Sequence, residues 1–358
     1  MVDLSNLGLS IRCSLAPAPP RQLPPGPLGF GKLFTDHVFL AEHTPESGWG
    51  DFAIIPRADV GVGLASGALQ YGLSAFDGVK AYRTAQGRLH LFRPDRHAAR
   101  LAASAERLCM PPLEPARLIA ALRALVRVEQ DSVPDAARGS LYLRPTLFAN
   151  DEYLGVRPGN LHTLAILASP VDSYFGQDSR PLRLWAERGL TRAAPGGVGA
   201  AKTGGNYAAS LLAARDAKQR GYDQVLWLDA IEHRYVEEVG TMNLFVHFKS
   251  GVVTPPLDGT ILAGVTRESC LTLLKEWGVP TEERRLTLDE LLAAHRAGEL
   301  LEIFGTGTAA VVAAVGEVAW ATHKVSPIGG PIGERLKVAL GELHRGEVRD
   351  TRGWLLAV

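Results

Sequence analysis

Two hydrophobic periods follow one another along this chain in no regular order, and that order limits the fold more than any other feature. Residues 88–92 (RLHLF) alternate polar and apolar side chains, the period of a half-buried strand. Pro94 and Asp95 then open a helix whose Ala98, Leu101, Ala105 and Leu108 fall three or four apart. Residues 140–148 (SLYLRPTLF) and 162–168 (HTLAILA) read as two more strands. In the second half, Ala208, Leu211, Leu212 and Ala217 give residues 205–220 a helical stripe, and Gly221 suits the position just past its end. Residues 224–228 read as a strand, and residues 264–277 as a helix stopped by Gly278. Thr287 with Glu290 makes a capping box ahead of Leu291 and Leu292. Elements in such mixed order predict an α+β fold, without the strand–helix alternation of a doubly wound sheet.

At 358 residues the chain has room for two domains, since one typically takes roughly 100–200 residues. Residues 14–29 (SLAPAPPRQLPPGPLG) are dense in proline, which fixes φ and cannot donate to a ladder, so residues 1–29 are expected as an extended arm. Residues 171–176 (VDSYFG) carry no period and are the expected join between domains. Lys plus Arg (38) cancels Asp plus Glu (38), so no charge field steers the chain toward nucleic acid or a membrane surface. Cys13, Cys109 and Cys270 share no metal-ligand spacing and cannot make a disulfide framework, which fits a reducing compartment. No apolar run reaches the ~20 residues of a membrane helix, and the N-terminus lacks the order of a signal peptide. The expected location is the cytoplasm.

The sharpest chemical feature is PGGVGAAKTGGNY, residues 195–207, where Lys202 stands among five glycines. Glycines permit close backbone approach to a ligand. A helix starting near Gly204 and Gly205 would favour the neutral amine that a Schiff-base lysine needs. Taken alone, such a lysine is more often a surface residue in a flexible loop. In YVEEVGTMNLF, residues 235–245, Glu237 and Glu238 point to opposite faces of an extended chain, so one can be buried toward a site while the other meets solvent. A buried carboxylate beside a ring nitrogen would favour its protonated form; an exposed glutamate pair is the plainer alternative. FGTGTAA (304–310) and GVTR (264–267) offer hydroxyls and backbone N–H groups of the kind that hold anions, though such turns commonly have no ligand. Arg100 shares a stripe with Arg93 and Arg96, which on periodicity alone reads as a solvated basic face. His97 and the other histidines form no metal-ligand pattern, and there is no dinucleotide fingerprint, Walker lysine or nucleophile elbow.

Together these strings resemble one family. KTGGNY around Lys202, EVGTMNLF from Glu238, GVTR from Gly264 and GTGTAA from Gly305 stand in the order seen in branched-chain aminotransferases, which are fold type IV pyridoxal-phosphate enzymes. LGFGKLFTDH from Leu28, FDGVKAYR from Phe76, LFRPDRHAARL from Leu91 and LYLRPT from Leu141 extend the likeness from about Phe30 to about Val315. D-amino-acid aminotransferases and aminodeoxychorismate lyases share the lysine and the carboxylate, but the Phe30 segment, LYLRPT and EVGTMN favour the branched-chain type.

The resemblance implies a small N-terminal α/β domain (30–171), a linker (172–178) and a larger domain of pseudo-barrel character (179–358) that binds the cofactor, with the active site between the domains. It implies transfer of the amino group of L-leucine, L-isoleucine or L-valine to 2-oxoglutarate, in a homodimer whose partner loop closes the site. Lys202 would carry pyridoxal 5'-phosphate and act as general base and then acid. Glu238 would pair with the pyridine nitrogen and Tyr207 with the ring 3′ oxygen. Arg100, the N–H groups of Val265 and Thr266, and the Thr308 hydroxyl would grip the phosphate, with Arg192 nearby and Thr241 beside cofactor or substrate. Phe30, Tyr71, Phe76, Tyr142 and Tyr174 would line an apolar substrate pocket. The turn of Thr308, Ala309 and Ala310 would hold the α-carboxylate with the Tyr142 hydroxyl, and Arg144 the γ-carboxylate of glutamate. Mammalian members carry a CxxC pair just after this turn; Ala310 and Ala313 stand there, so thiol–disulfide regulation is not expected.

Overall fold

The computed structural model describes residues 4–15, 23–172 and 180–358. The chain divides into two compact units, one of Met1–Gly176, Ala201–Gly204 and Glu342–Val358, the other of Gln177–Ala200 and Gly205–Gly341. A single cut near residue 175 is thus too simple, for two physical reasons. The C-terminal strand Leu355–Ala357 returns to pair antiparallel with Leu89–Phe92. The Lys202 segment is fastened to the first unit, where the Phe76 N–H donates to the Lys202 carbonyl at 2.9 Å and Ala75 bridges to Thr203. The expected arm is also partly sheet, since Arg12–Cys13 adds a parallel edge strand to Gly48–Pro56. Gly29 N–H donates to the Asp172 carboxylate at 3.0 Å. Beyond Asp172, the expected linker and Tyr174 lie outside the described residues.

In the first unit the described strands form one largely antiparallel sheet with Ser140–Ala149 near its middle, flanked by His162–Val171 on one side and Val79–Arg83 on the other. The period of 2 decides which side chains meet. Leu141, Leu143 and Leu147 join the core with Ala98, Leu101, Ala105, Leu118, Leu122 and Leu125 from the helices Pro94–Arg107 and Pro115–Val128. Tyr142 and Arg144 therefore face the other way. Pro145 sits inside this central strand, where a proline normally breaks the ladder. Here the ladder is already broken on that side: Ser74–Phe76 and Val79–Arg83 pair with residues either side of Pro145, and the intervening Asp77 N–H donates to the Pro145 carbonyl at 2.9 Å. The missing donor thus faces a turn rather than a strand.

In the second unit six described strands close on themselves. The order is Val236–Val239, Gln224–Leu228, Leu182–Ala186, Val311–Trp320, Leu300–Gly307, Met242–Phe248, and back to Val236–Val239. This is the expected pseudo-barrel. The two-residue hairpin Gly240–Thr241 joins the last pair at Gly240, whose φ of 56° favours glycine. A Cβ there would also stand 2.4 Å from the Gln224 side chain. The helix Leu288–Arg296 is capped as expected by the Thr287 hydroxyl, which accepts from Glu290 N at 3.1 Å. The Glu290 carboxylate does not complete a reciprocal box; it accepts from Arg284 at 2.6 Å. No helix among the described residues is long and apolar enough to cross a membrane, and no group of them could hold a metal ion.

Candidate active site

The first unit gathers a cluster around Lys202. The lysine amine lies 5.0 Å from the centre of the Phe76 ring. Arg144 lies over the same ring at 4.6 Å and over Tyr142 at 5.3 Å, and it donates to the Tyr142 hydroxyl at 3.1 Å. The Phe30 ring meets Tyr142 edge-on at 4.9 Å. Three aromatic rings and two cations thus share one small region, an arrangement the alternation along Ser140–Ala149 makes possible. Arg144 Nε is buried with no hydrogen-bond partner, a donor left for something outside the chain. Burial raises the Tyr142 phenol above its ordinary value, so its hydroxyl keeps its proton. Gly78 allows this packing, because a Cβ there would stand 1.9 Å from that hydroxyl.

Arg100 belongs to the same unit, and the solvated-face reading fails for it. Its Nε and Nη2 both donate to the Asp77 carboxylate, each at 2.8 Å, and His97 Nδ1 sits 2.8 Å from Asp77 Oδ1. The stripe is split: Arg93 is buried and Arg96 is exposed. Burial alone would push the Asp77 carboxyl up, but the charges and hydrogen bonds of Arg100 and His97 outweigh it and hold the group far below the usual carboxylate range. His97 is pushed down by its own burial, against the pull of Asp77, and is neutral at pH 7.

The second unit holds Glu238 in the closed barrel. Glu238 Oε2 forms an ion pair with Arg192 Nε at 2.8 Å, and Oε1 accepts from Leu262 N at 3.2 Å and Asn243 Nδ2 at 3.3 Å. Arg192 therefore stands against the carboxylate. Glu237 does not meet solvent: both glutamates are buried, at 7% and 4% exposure, with Thr260 standing against Glu237. Glu237 Oε1 accepts from the Thr260 hydroxyl at 2.7 Å, its Oε2 has no partner, and burial raises its pKa. Across the ladder, Glu238 is paired with Asn243 and Asn243 with Thr306, whose buried hydroxyl is also unpartnered.

The remaining expected residues take these places. Val265 and Thr266 are buried at the start of the helix Val265–Glu276, which no side chain caps. Thr308, Ala309 and Ala310 are half-buried in the turn joining Leu300–Gly307 to Val311–Trp320. Val311 at the end of that turn has φ 61°, a conformation that a β-branched residue rarely adopts. Tyr207 is half-buried in the first turn of the helix Gly204–Gln219, and Thr241 is exposed in its hairpin. Tyr71 is half-exposed and donates to the Leu154 carbonyl; no described contact brings it to the Lys202 cluster. Asp77, Ser104, Asn243 and Thr306 escape sequence reasoning. An aspartate inside an otherwise apolar stretch is the available signal for the first; the others are polar residues of ordinary appearance.

The model of a family described as amino-transferase class IV matches residues 74–318. The chain belongs to that family. This class IV aminotransferase is 46% identical over 338 residues to "Branched-chain-amino-acid transaminase 1" of Bacillus subtilis (strain 168), covering 93% of this chain and 95% of the relative. It is 44% identical over 335 residues to "Branched-chain-amino-acid aminotransferase" of Mycolicibacterium smegmatis, with 91% of each covered. Among solved structures it resembles the T.th. branched-chain amino acid aminotransferase complexed with N-(5'-phosphopyridoxyl)-L-glutamate. That likeness has a TM-score of 0.75 and 29% identity, and covers 91% of this chain and 99% of that one. The family and the fold type IV architecture agree with the order of motifs in the sequence.

Proposed function

We propose that this class IV aminotransferase moves the amino group of L-leucine, L-isoleucine or L-valine to 2-oxoglutarate, with pyridoxal 5'-phosphate carried on Lys202. The observation that carries the reading is Lys202 lying with Arg144, Phe76 and Tyr142 in one cluster, in a chain whose relatives bear that name. The residues present fit the cofactor. Arg100 is a half-buried cation held by Asp77, the uncapped helix start at Val265 and Thr266 offers backbone N–H groups to a phosphate, and Glu238 is a buried carboxylate held by donors on both oxygens.

When bound, the cofactor supplies an electron sink for the charge left on the substrate Cα. The chain supplies the rest. Lys202 would hold the cofactor through Nζ and, once released, its amine would take the substrate Cα proton as general base and deliver it to the cofactor side as general acid. Glu238, ion-paired with Arg192, would face the ring nitrogen and favour its protonated form. Tyr207 serves the ring's 3′ oxygen, and Arg192 and Thr241 complete the surroundings. Phe30, Phe76 and Tyr142 exclude water around an aliphatic side chain, and Arg144, with its unpartnered Nε, binds the far carboxylate of 2-oxoglutarate. One pocket can serve both, because an apolar wall with a donor at its edge accepts either end group.

The molecule is proposed to work as a homodimer in the cytoplasm. Tyr153, Leu154 and Val156 expose 50%, 65% and 86% of their surface beside Tyr71, an apolar cluster of the kind a partner subunit covers. Three cysteines without disulfide partners fit a reducing compartment. The deciding assay offers L-leucine or D-alanine with 2-oxoglutarate. Glutamate should form with L-leucine, and activity confined to D-alanine would replace this reading by the D-amino-acid type.

A further inference from the structure

Five residues of the first unit form a closed ring of hydrogen bonds and chain links. Asp77 accepts from Arg100 Nε and Nη2 at 2.8 Å. The Arg100 carbonyl accepts from the Ser104 hydroxyl, one helical turn on, at 2.9 Å. The same Ser104 oxygen accepts from the Lys202 N–H at 3.0 Å. The Lys202 carbonyl accepts from Phe76 N–H at 2.9 Å, and Phe76 precedes Asp77 in the chain. Asp77 and Ser104 are each about 1% or less exposed. A serine bonded back to the carbonyl four residues earlier normally gains its helix little. Here that bond aims the oxygen at a main chain 98 residues away.

We propose that this ring sets the two ends of the cofactor site against each other, with Asp77 positioning Arg100 for the phosphate and Ser104 positioning Lys202 for the covalent bond. The inference rests on the reading that Lys202 carries pyridoxal phosphate. Neither residue touches the reacting atoms. Asp77 is suited to its part because its two oxygens serve four donors: Gly78 N and His97 Nδ1 besides the two of Arg100. An asparagine could not replace it, since its amide nitrogen would face a donor whichever way it turned. The guanidinium would have to swing away. Removing the charge would by itself strengthen phosphate attraction to Arg100, so tight orientation and charge competition act with opposite signs and can be told apart.

The ring assigns separable effects, read by binding pyridoxal phosphate and pyridoxamine phosphate to apoenzyme. Pyridoxamine phosphate has the same phosphate but cannot bond covalently to a lysine. Ser104→Ala should weaken pyridoxal phosphate about tenfold, in the range seen when a group orienting a ligating residue is removed, and should leave pyridoxamine phosphate within about twofold. Ser104→Thr, which keeps the hydroxyl, should restore wild-type binding. Asp77→Asn should weaken both ligands together by about tenfold or more. Thermal melts of each apoprotein check folding, and the serine pair decides the matter even if Asp77→Asn fails to fold. Equal loss of both ligands in Ser104→Ala, or no loss of either, would overturn the role of Ser104. Unchanged or tighter pyridoxamine phosphate binding in Asp77→Asn would reduce Asp77 to a counter-charge and overturn its part. Wild-type protein that binds neither ligand would instead overturn the reading of function on which the inference stands.

Discussion

Lys80 gives the sharpest quantitative test of the fold. It is 5% exposed, on the strand Val79–Arg83 opposite Tyr142, and burial lowers its ammonium from 10.5 to about 8. For a base with a lowered folded pKa, the unfolded chain holds the proton more firmly between the two values. Below about pH 8 the penalty is fully present, and it is relieved as pH rises toward 10.5. That lowering is worth roughly 3 kcal/mol, since a tenfold change in proton affinity corresponds to about 1.4 kcal/mol. Lys80→Met keeps most of the unbranched stem and removes the charge, so it should stabilise the protein at pH 7 by up to that amount, less any hydrogen bond lost. The assay is urea unfolding of wild type and variant from pH 7 to 10.5, followed by near-UV circular dichroism. The wild-type curve alone is ambiguous, because Tyr82 is also buried with its phenol pushed up, which makes stability fall as tyrosines ionise in the unfolded chain. The difference curve cancels that contribution and should close toward zero above pH 10. A second reading comes from His344, which its own burial and then the charge of Lys80 push well below the ordinary histidine value; its imidazole should titrate higher in the variant. A variant less stable than wild type at pH 7, with a difference that does not change up to pH 10.5, would refute the buried-charge argument.

Other expectations follow from the two clusters. Lys202→Ala should lose the borohydride-trapped cofactor adduct entirely, read by mass spectrometry of the peptide; an adduct at another lysine would remove Lys202 from its role. Arg144→Gln should raise KM for 2-oxoglutarate about ten- to hundredfold while changing KM for L-leucine far less, the cost of removing a charged partner from a carboxylate; equal changes for both substrates would argue for a purely structural arginine. Glu238→Gln should keep the cofactor bound and slow Cα proton removal by much more than it weakens binding, seen as a solvent-exchange rate of the leucine Cα proton; equal modest losses would count against it. Val156→Asp, at a position 86% exposed in the single chain, should shift the protein from dimer to monomer in sedimentation, and an unchanged dimer would place the interface elsewhere.

Local pattern carried the elements whose causes are local. The helix from Pro94, the strand within residues 140–149 and the cap at Thr287 were legible, because period, proline position and a hydroxyl three residues before an N–H are short-range facts. Closure was not. One glutamate of the pair Glu237–Glu238 reads as able to reach solvent, and only the fold buries both, with Thr260, 23 residues on, standing against Glu237. Lys80 likewise alternates with Val79 and Ala81 like any solvent-facing strand residue. Its burial comes with the chain's far end, where His344 stacks on Tyr82 at 4.5 Å and accepts through its carbonyl from His90 at 2.7 Å.

Resemblance transferred residues but not their partners, and Arg192 shows why that matters. Likeness of sequence placed it near a phosphate. The structure pairs it with Glu238, whose other oxygen accepts from Leu262 N–H and Asn243. A carboxylate buried to 4% exposure loses several kcal/mol of hydration unless a charge partner offsets it. Arg192 supplies such a partner, its Nε 2.8 Å from Glu238 Oε2. If Glu238 pairs with a ring nitrogen as proposed, the same ion pair would limit how strongly it favours a proton there, because the guanidinium already draws on the carboxylate. On the proposed role of Glu238, guanidinium and ring nitrogen would compete for one carboxylate, which puts Arg192 among the residues proposed to tune the chemistry.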